Sequence, residues 1–427
     1  MSDGLARLRV PEGEEWFDQP CRSCGGDRVE LVIDLSDQPH CNRLVAPDLP
    51  LGTEPSYPLR LGFCHDCTLA QIDHTIPKES MFSDYPYVSG TTKTLPLHFR
   101  ETVDRLERAY ALGKGDLVVD IGSNDGTWLK QYGHLGCRVL GVEAAANVAG
   151  IAREAGIPTW QRFFDEACAD EIRAEHGAAR LITAAGVFFH LEELHSVVRG
   201  IKRLLDEDGV FVVQAIYLGG MIENTAFDQI YHEHLCYYTL RSLSQLVGRH
   251  GLEVVEASLV PIHGGSIEAH IVHQGRRPVG ESVKRLAEAE RSAGLDDIAT
   301  YRRFADRVLA LRDRLTAILE NEAGSGRKIW AYGAPAKGST LLNSFGIGPS
   351  LVERAVEKNP MKVGLAIPGV RIPITAEDEG RPDAYLVLAW NFIDEFLAKE
   401  ADYLSAGGTF IVPIPDVRRI VAETVPA

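Results

Sequence analysis

The chain has 427 residues, and at roughly 150 residues per domain this predicts two or three domains rather than one. Hydrophobic residues make up 45% and charged residues 24%, both near globular averages, which excludes disordered and fibrous architectures. The 44 basic and 60 acidic residues give a net charge of −16, a field that repels nucleic acid and anionic membranes, so neither is expected as a partner.

Met1-Ser2-Asp3-Gly4 lacks the basic and apolar run of a secretory signal. The best membrane candidate, residues 209–222, is shorter than the roughly 20 residues a bilayer needs, so a soluble, cytoplasmic protein is expected. Residues 1–80 are proline-rich, with little helical periodicity and too few apolar residues for a core of their own; such a module needs a staple. Cys21-x-x-Cys24 and Cys64-x-x-Cys67 supply one. Two such knuckles complete a tetrahedral four-sulfur zinc site with no position open for a catalytic water, so the metal is structural. Free thiols or a redox pair are the alternative, and His40, Cys41 and His65 are spare ligands that would break the spacing.

Residues 94–112 carry Leu97, Val103, Leu106 and Ala109 at helical spacing and predict an amphipathic helix. From Leu117 onward, apolar runs at 117–119, 138–142, 180–183 and 209–213 alternate with helix-length segments, the pattern of a parallel sheet covered by helices. Residues 252–255 and 266–271 would extend it with antiparallel strands. Residues 279–320 form a charged helical block interrupted near Gly294, and a second strand–loop–helix unit begins at Lys328. Further strands are expected within 351–356, 384–390 and 409–412. The fold class is therefore α/β. It divides into a zinc-binding module at 1–80, a Rossmann-like domain at 81–275 and a second Rossmann-like domain at 276–427.

Asp120, Gly122, Asn124 and Gly126 lie in a strand-to-helix turn whose glycines let a ligand approach the backbone. Asn124 stands where a nicotinamide loop wants its second glycine, which disfavours that cofactor. Glu143, ending the next strand, suits the ribose hydroxyls of S-adenosylmethionine; an unliganded tight turn is the bland alternative. Gly186 and His190 follow the 180–183 strand at its ligand-binding edge. His190 could orient a substrate or shuttle a proton there, or simply pack beside Phe188 and Phe189. Tyr231-His232-Glu233-His234 gathers four ionisable side chains, as a general base for a carbon acid requires. A metal pair formed by His232 and His234, or a structural role, stays open. His263-Gly264-Gly265-Ser266 reads as a polar turn at a site mouth. Lys337, in Gly333-Ala334-Pro335-Ala336-Lys337-Gly338, lies at a glycine turn opening a helix, either an anion cradle or a plain turn.

In this order the motifs resemble the sugar C-methyltransferase family of deoxysugar biosynthesis, which methylates C-3 of dTDP-linked 4-keto sugars. The resemblance runs from the four cysteines to Tyr332-Gly333-Ala334-x-x-Lys337-Gly338. It implies a zinc module, a central S-adenosylmethionine-binding domain and a C-terminal domain, with the dTDP-sugar between the last two. By the same resemblance His234 is the base with Glu233 beside it. Tyr231, His190 and Tyr85 (with Tyr87 as second choice) hold the sugar and the developing enolate. His232, His263, Gly264, Ser266, Tyr332 and Lys337 then serve substrate binding. A monomer is expected, with a dimer as the alternative. The chain departs from the family at Gly186, where asparagine is common, at Glu268, where arginine is usual, and at Glu357, where an aspartate-led stretch is common. These departures leave room for another sugar, ring position or carbon acid as acceptor. A non-catalytic scaffold and a nicotinamide oxidoreductase are the readings from other classes.

Overall fold

The architecture is that of a computed structural model describing residues 8–91, 94–377 and 380–424, with the side chains of His263 and Glu423 outside the description. Three sheets follow one another along the chain.

The first pairs Val29–Pro39, Ser56–Cys64 and Ala70–Ile72 antiparallel. Its fourth strand, Cys236–Tyr237, comes from far along the chain and pairs through Ala70↔Tyr237 and Gln71↔Cys236. As its composition suggested, this module has no separate core. Its buried Val29, Ile33, Leu61 and Phe63 join the large core of the other two sheets. Phe63 lies against Tyr301 of the long helix Ile298–Gly324, ring centroids 4.5 Å apart.

The central sheet runs in the order Leu252–Val260, Ser266–His273, Leu205–Ile216, Ala179–Ala185, Leu117–Ile121, Arg138–Val142, Thr159–Trp160. The last five are parallel; Ser266–His273 runs against both its neighbours. Side chains alternate between faces, as the two-residue strand period requires. Val118, Leu181, Val210 and Val212 pack with the helix Thr94–Tyr110. Val119, Ile182, Phe211 and Val213 belong to the opposite core, with Glu166–His176 and Leu194–Leu204. Thr94–Tyr110 buries Leu95, Phe99, Val103 and Leu106 on one stripe, while Leu97 of the predicted pattern stays exposed.

The helices Glu281–Ser292 and Ile298–Gly324 lead into the third sheet, broken apart at Gly294, whose φ of +65° favours glycine. That sheet is ordered Ile374–Ala376, Ala355–Glu357, Ile329–Tyr332, Ala384–Val387, Thr409–Val412, Arg418–Ile420, parallel except for its last strand. Among the described residues, no helix is long and apolar enough to cross a membrane.

Two departures from the family pattern are absorbed here. Glu268 faces the Thr94–Tyr110 side of the sheet and is buried, with Arg105 Nη2 at 3.1 Å and Gln214 Nε2 at 2.7 Å. Glu357 accepts backbone N–H groups from Ala334, Lys358 and Asn359, so it shapes its own loop and the neighbouring one.

Candidate active site and metal centre

A cavity of about 460 Å³ opens at the carboxyl ends of the central strands, its wall including Ile121, Gly122, Val142, Glu143, Ala185 and Gly186. Parallel strands end here in backbone turns, which is why ligands of such sheets gather at this edge. Gly122 has φ +68°, and a Cβ there would meet the Val187 side chain at 2.9 Å, so only glycine fits. Asn124 also takes a left-handed conformation, at φ +50°, which asparagine tolerates. Its amide clasps a segment from outside the sheet: Nδ2 donates to Tyr87 O at 3.0 Å and Oδ1 accepts from Ser89 N at 2.9 Å. Glu143 accepts N–H bonds from Asn124 and Ala145, each at 2.8 Å, and burial raises its pKa. Its two oxygens retain lone pairs for further donors.

Asp120 and Gly126 lie outside the wall. Burial pushes the Asp120 carboxyl up to about 7, and its Oδ1 accepts the Thr183 hydroxyl at 2.6 Å. Gly126 (φ +74°) turns the chain beneath Ile157.

The wall of the same cavity includes Tyr85, His190, Tyr231 and His234. The rings of His234 and Tyr231 are 3.8 Å apart by centroid, and those of His234 and His190 are 5.1 Å apart. Each histidine has Nδ1 against a carbonyl: Gln229 O at 2.8 Å for His234, and Glu233 O at 2.5 Å for His190. A carbonyl only accepts, so Nδ1 carries a proton and, whenever the ring is neutral, Nε2 is its basic nitrogen. Burial lowers the pKa of His190 and keeps that ring neutral.

The two other members of the four-residue motif turn elsewhere. His232 Nε2 lies 3.1 Å from Pro58 O and 3.3 Å from Tyr57 O, tying the loop to the first sheet, and burial lowers its pKa to about 4. It therefore does not converge with His234 on a metal. The fully buried Glu233 carboxylate holds Tyr85 Oη at 3.1 Å and Asn42 Nδ2 at 2.6 Å.

Pro335, Ala336, Lys337 and Asn391 also line the cavity. Lys337, in the first turn of the helix Ala336–Phe345, donates to Asn391 Oδ1 at 2.5 Å and sits 3.9 Å above the Trp390 ring. Burial lowers its pKa to about 8, partly offset by the charge of Asp228. Tyr332 is not among the lining residues; its hydroxyl lies 2.9 Å from Glu400 Oε1 and 2.8 Å from Lys399 Nζ. The Ser266 hydroxyl donates to Ile262 O at 3.1 Å, and Gly264 lies near Gln229; neither is in the wall. The His263 side chain lies outside the described residues.

The sequence reading missed Asn147, which grips the Tyr85 backbone through N–H (3.1 Å) and C=O (2.8 Å), and also Asn42 and Asn391. None sits in a motif; each is brought in from another element.

In the first module, Cys21, Cys24, Cys64 and Cys67 place four Sγ atoms within 4.8 Å of one another. Cys21 and Cys67 sulfurs are 3.4 Å apart, and those of Cys24 and Cys64 3.6 Å. A tetrahedral zinc site with Zn–S bonds of about 2.3 Å has sulfurs roughly 3.8 Å apart, so the donor set fits zinc. The Gly25 N–H to Cys21 O bond (2.9 Å) and the Thr68 N–H to Cys64 O bond (2.8 Å) form the knuckle turns.

Three family models match consecutive parts of the chain: "Putative zinc binding domain" over residues 21–82, "Methyltransferase domain" over 96–257 and "C-methyltransferase C-terminal domain" over 261–415. C-methyltransferase NovU from Streptomyces niveus is 37% identical over 412 residues, which is 95% of this chain and 97% of that protein. The chain belongs to the C-methyltransferase family. Solved structures similar to parts of this methyltransferase include magnesium protoporphyrin IX methyltransferase from Synechocystis with bound SAH (15% identity, 42% of this chain and 83% of that one, TM-score 0.34). A methyltransferase from Anabaena variabilis is 18% identical over 46% of this chain and 90% of that one, TM-score 0.34. The protein is an S-adenosylmethionine-dependent C-methyltransferase with a four-cysteine zinc module.

Proposed function

We propose that this methyltransferase deprotonates C-3 of a dTDP-linked 4-keto-deoxysugar and methylates the resulting enolate. The observation that supports this reading is one cavity whose wall includes Glu143, His190, Tyr231, His234 and Lys337.

In this reading Glu143 accepts the ribose hydroxyls of the methyl donor, and Gly122 and Gly186 let its backbone contacts close. When bound, S-adenosylmethionine supplies a methyl on a positive sulfonium, an electrophile that a carbon nucleophile can take without a metal. The chain's task is to make that nucleophile. A 4-keto group acidifies the neighbouring C-3 hydrogen, and His234 Nε2, set as a base by the Gln229 carbonyl, removes it. The Tyr231 hydroxyl donates to the keto oxygen as negative charge develops there. His190, kept neutral by burial, accepts from the sugar. Lys337 and the amino terminus of Ala336–Phe345 face the diphosphate, where a cation and a helix dipole act together. The Glu268 departure loses its force as an argument for another acceptor, because that side chain pairs with Arg105 outside the cavity wall.

The test is solvent exchange. A dTDP-4-keto-2,6-dideoxysugar is incubated with the enzyme in deuterated water, with and without S-adenosylmethionine, and followed by NMR. Enzyme-dependent exchange at C-3, and a new carbon-bound methyl once the donor is present, are expected. Donor binding with neither exchange nor methylation would move the assignment to another acceptor.

A further inference from the structure

We propose that His40, carried by the zinc-binding module, is a positioning residue for the reaction: acting through Glu233, it fixes Tyr85 as a hydrogen-bond acceptor, so that Tyr85 recognises a hydroxyl of the acceptor sugar and not its keto oxygen. This deepens, and rests on, the proposed reading of the cavity.

His40 follows the strand Val29–Pro39 and is remote in sequence from the motif it meets. Its Nε2 lies 3.0 Å from Glu233 Oε1, and the two side chains are 12% and 1% exposed. The approach is close but off the ideal hydrogen-bond line. Asn42 donates to the same oxygen at 2.6 Å, and the Tyr85 hydroxyl meets the other at 3.1 Å. The groups around this carboxylate are His40, Cys41 and Asn42 from the module, Tyr85 from the segment after it, and His190 and Tyr231 from the central domain.

Burial works to raise the pKa of Glu233, but the His40 and Asn42 contacts together hold it below the ordinary carboxylate value. An ionised carboxylate can only accept. Tyr85, whose own pKa burial raises well above the ordinary phenol value, is protonated, and its single proton points to Glu233. What remains for the cavity is the lone-pair side of the phenol oxygen. A keto or enolate oxygen also only accepts and finds no partner there; a sugar hydroxyl does. Asn147 grips the Tyr85 main chain on both sides and so holds its backbone in place beside Glu233. Without His40 the buried carboxylate loses part of its compensation and takes up a proton, and the Tyr85 hydroxyl is then released to point elsewhere.

A rival explanation of the same cluster is a second metal, because His40 Nε2, Cys41 Sγ and a Glu233 oxygen lie within 4.8 Å of one another. The bonds from Asn42 and Tyr85 to the same carboxylate favour the hydrogen-bonded reading, since an ion would compete with both.

The experiment is a double-mutant cycle on the zinc-loaded full chain, using His40→Leu, the near-isosteric His40→Gln, Tyr85→Phe and the two combinations. Each single change is expected to lower kcat/KM about tenfold or more, with the combinations no worse than about threefold below Tyr85→Phe alone, because both act through one hydrogen bond. Losses that multiply in the combinations would overturn the proposal. An arm independent of turnover uses ¹⁵N-histidine NMR of the resting enzyme. The His40 side-chain signal, identified by its loss in either His40 variant, is expected to shift in Glu233→Gln and in Tyr85→Phe. An unmoved signal would overturn the relay even if the sugar assignment holds; a shifted signal in an enzyme inactive on every 4-keto sugar would keep the relay and reject that assignment. Metal content is expected to stay at one zinc per chain in His40→Leu, and loss of a second equivalent would replace the relay with a metal site.

Discussion

His234 and Lys337 show how one residue's surroundings set its chemistry. The Gln229 carbonyl pins one tautomer of His234, leaving Nε2 as the base. His234→Asn removes that base while keeping a side chain able to reach the same carbonyl. Turnover is expected to fall by about 10²–10⁴-fold with the methyl-donor Kd unchanged, a split that single-turnover kinetics and calorimetry can read. Lys337 is charged below about pH 8 and neutral above it, because burial lowers its pKa. If it holds the diphosphate, affinity for the nucleotide sugar should weaken as pH rises through about 8, approaching tenfold per unit beyond. In Lys337→Met the affinity should be low at every pH and the step absent. Calorimetry between neutral pH and pH 9 checks both.

Elements are joined here by buried polar groups as well as by apolar faces. The helix Thr94–Tyr110 lies on the central sheet over Val118, Leu181 and Val212, but Arg105 also reaches Glu268 on Ser266–His273. Burial alone would raise the Glu268 pKa; His270, Arg105 and Gln214 instead lower it to about 2. A carboxyl with a depressed folded-state pKa stabilises the protein above its unfolded value of about 4.3, and that contribution fades as pH falls toward 2. Glu268→Gln is expected to cost about 2 kcal/mol, below the cost for a fully buried pair because Arg105 is partly exposed. Thermal melting at pH 7 should show the loss, and the difference from wild type should shrink on acidification. Since the pair lies away from the cavity, methyl-donor affinity should hold.

Across the whole molecule, the zinc module is connected to the reaction by backbone. Arg22, between the first two cysteines, donates its N–H to Gln71 Oε1 at 2.8 Å, and Gln71 pairs with Cys236 just past the four-residue motif. Ile72 N–H also bonds Leu235 O at 3.1 Å. Cys64→Ser is therefore expected to lose one zinc, lower the melting temperature and weaken acceptor binding. Methyl-donor binding should survive, because Gly122 and Glu143 belong to the central sheet. Metal analysis and calorimetry with each ligand separate these effects. A variant with wild-type acceptor affinity and no zinc would show that the strand pairing holds without the metal.

Much of this was written locally. The four cysteines declare their site through spacing, because two-residue knuckles are set by short-range geometry. The alternating apolar runs announce the parallel sheet, because strand and helix periods are local too. Asp120 and Glu143 both looked like cofactor residues for the same reason, and only the packing separated them: Asp120 turns inward to Thr183 while Glu143 lines the cavity. Tyr231-His232-Glu233-His234 was conspicuous as a cluster, yet its division of labour was not readable, since which way each side chain points depends on partners remote in sequence. His232 meets Tyr57 and Pro58, Glu233 meets His40, Asn42 and Tyr85, and His234 meets Gln229 within its own loop. Sequence by itself determined the alternation of strands and helices and the two cysteine knuckles, because each is set by short-range periodicity and spacing. Tertiary structure alone decided which side chains share a cavity, because that depends on long-range strand pairing and on buried polar groups finding partners across three sheets.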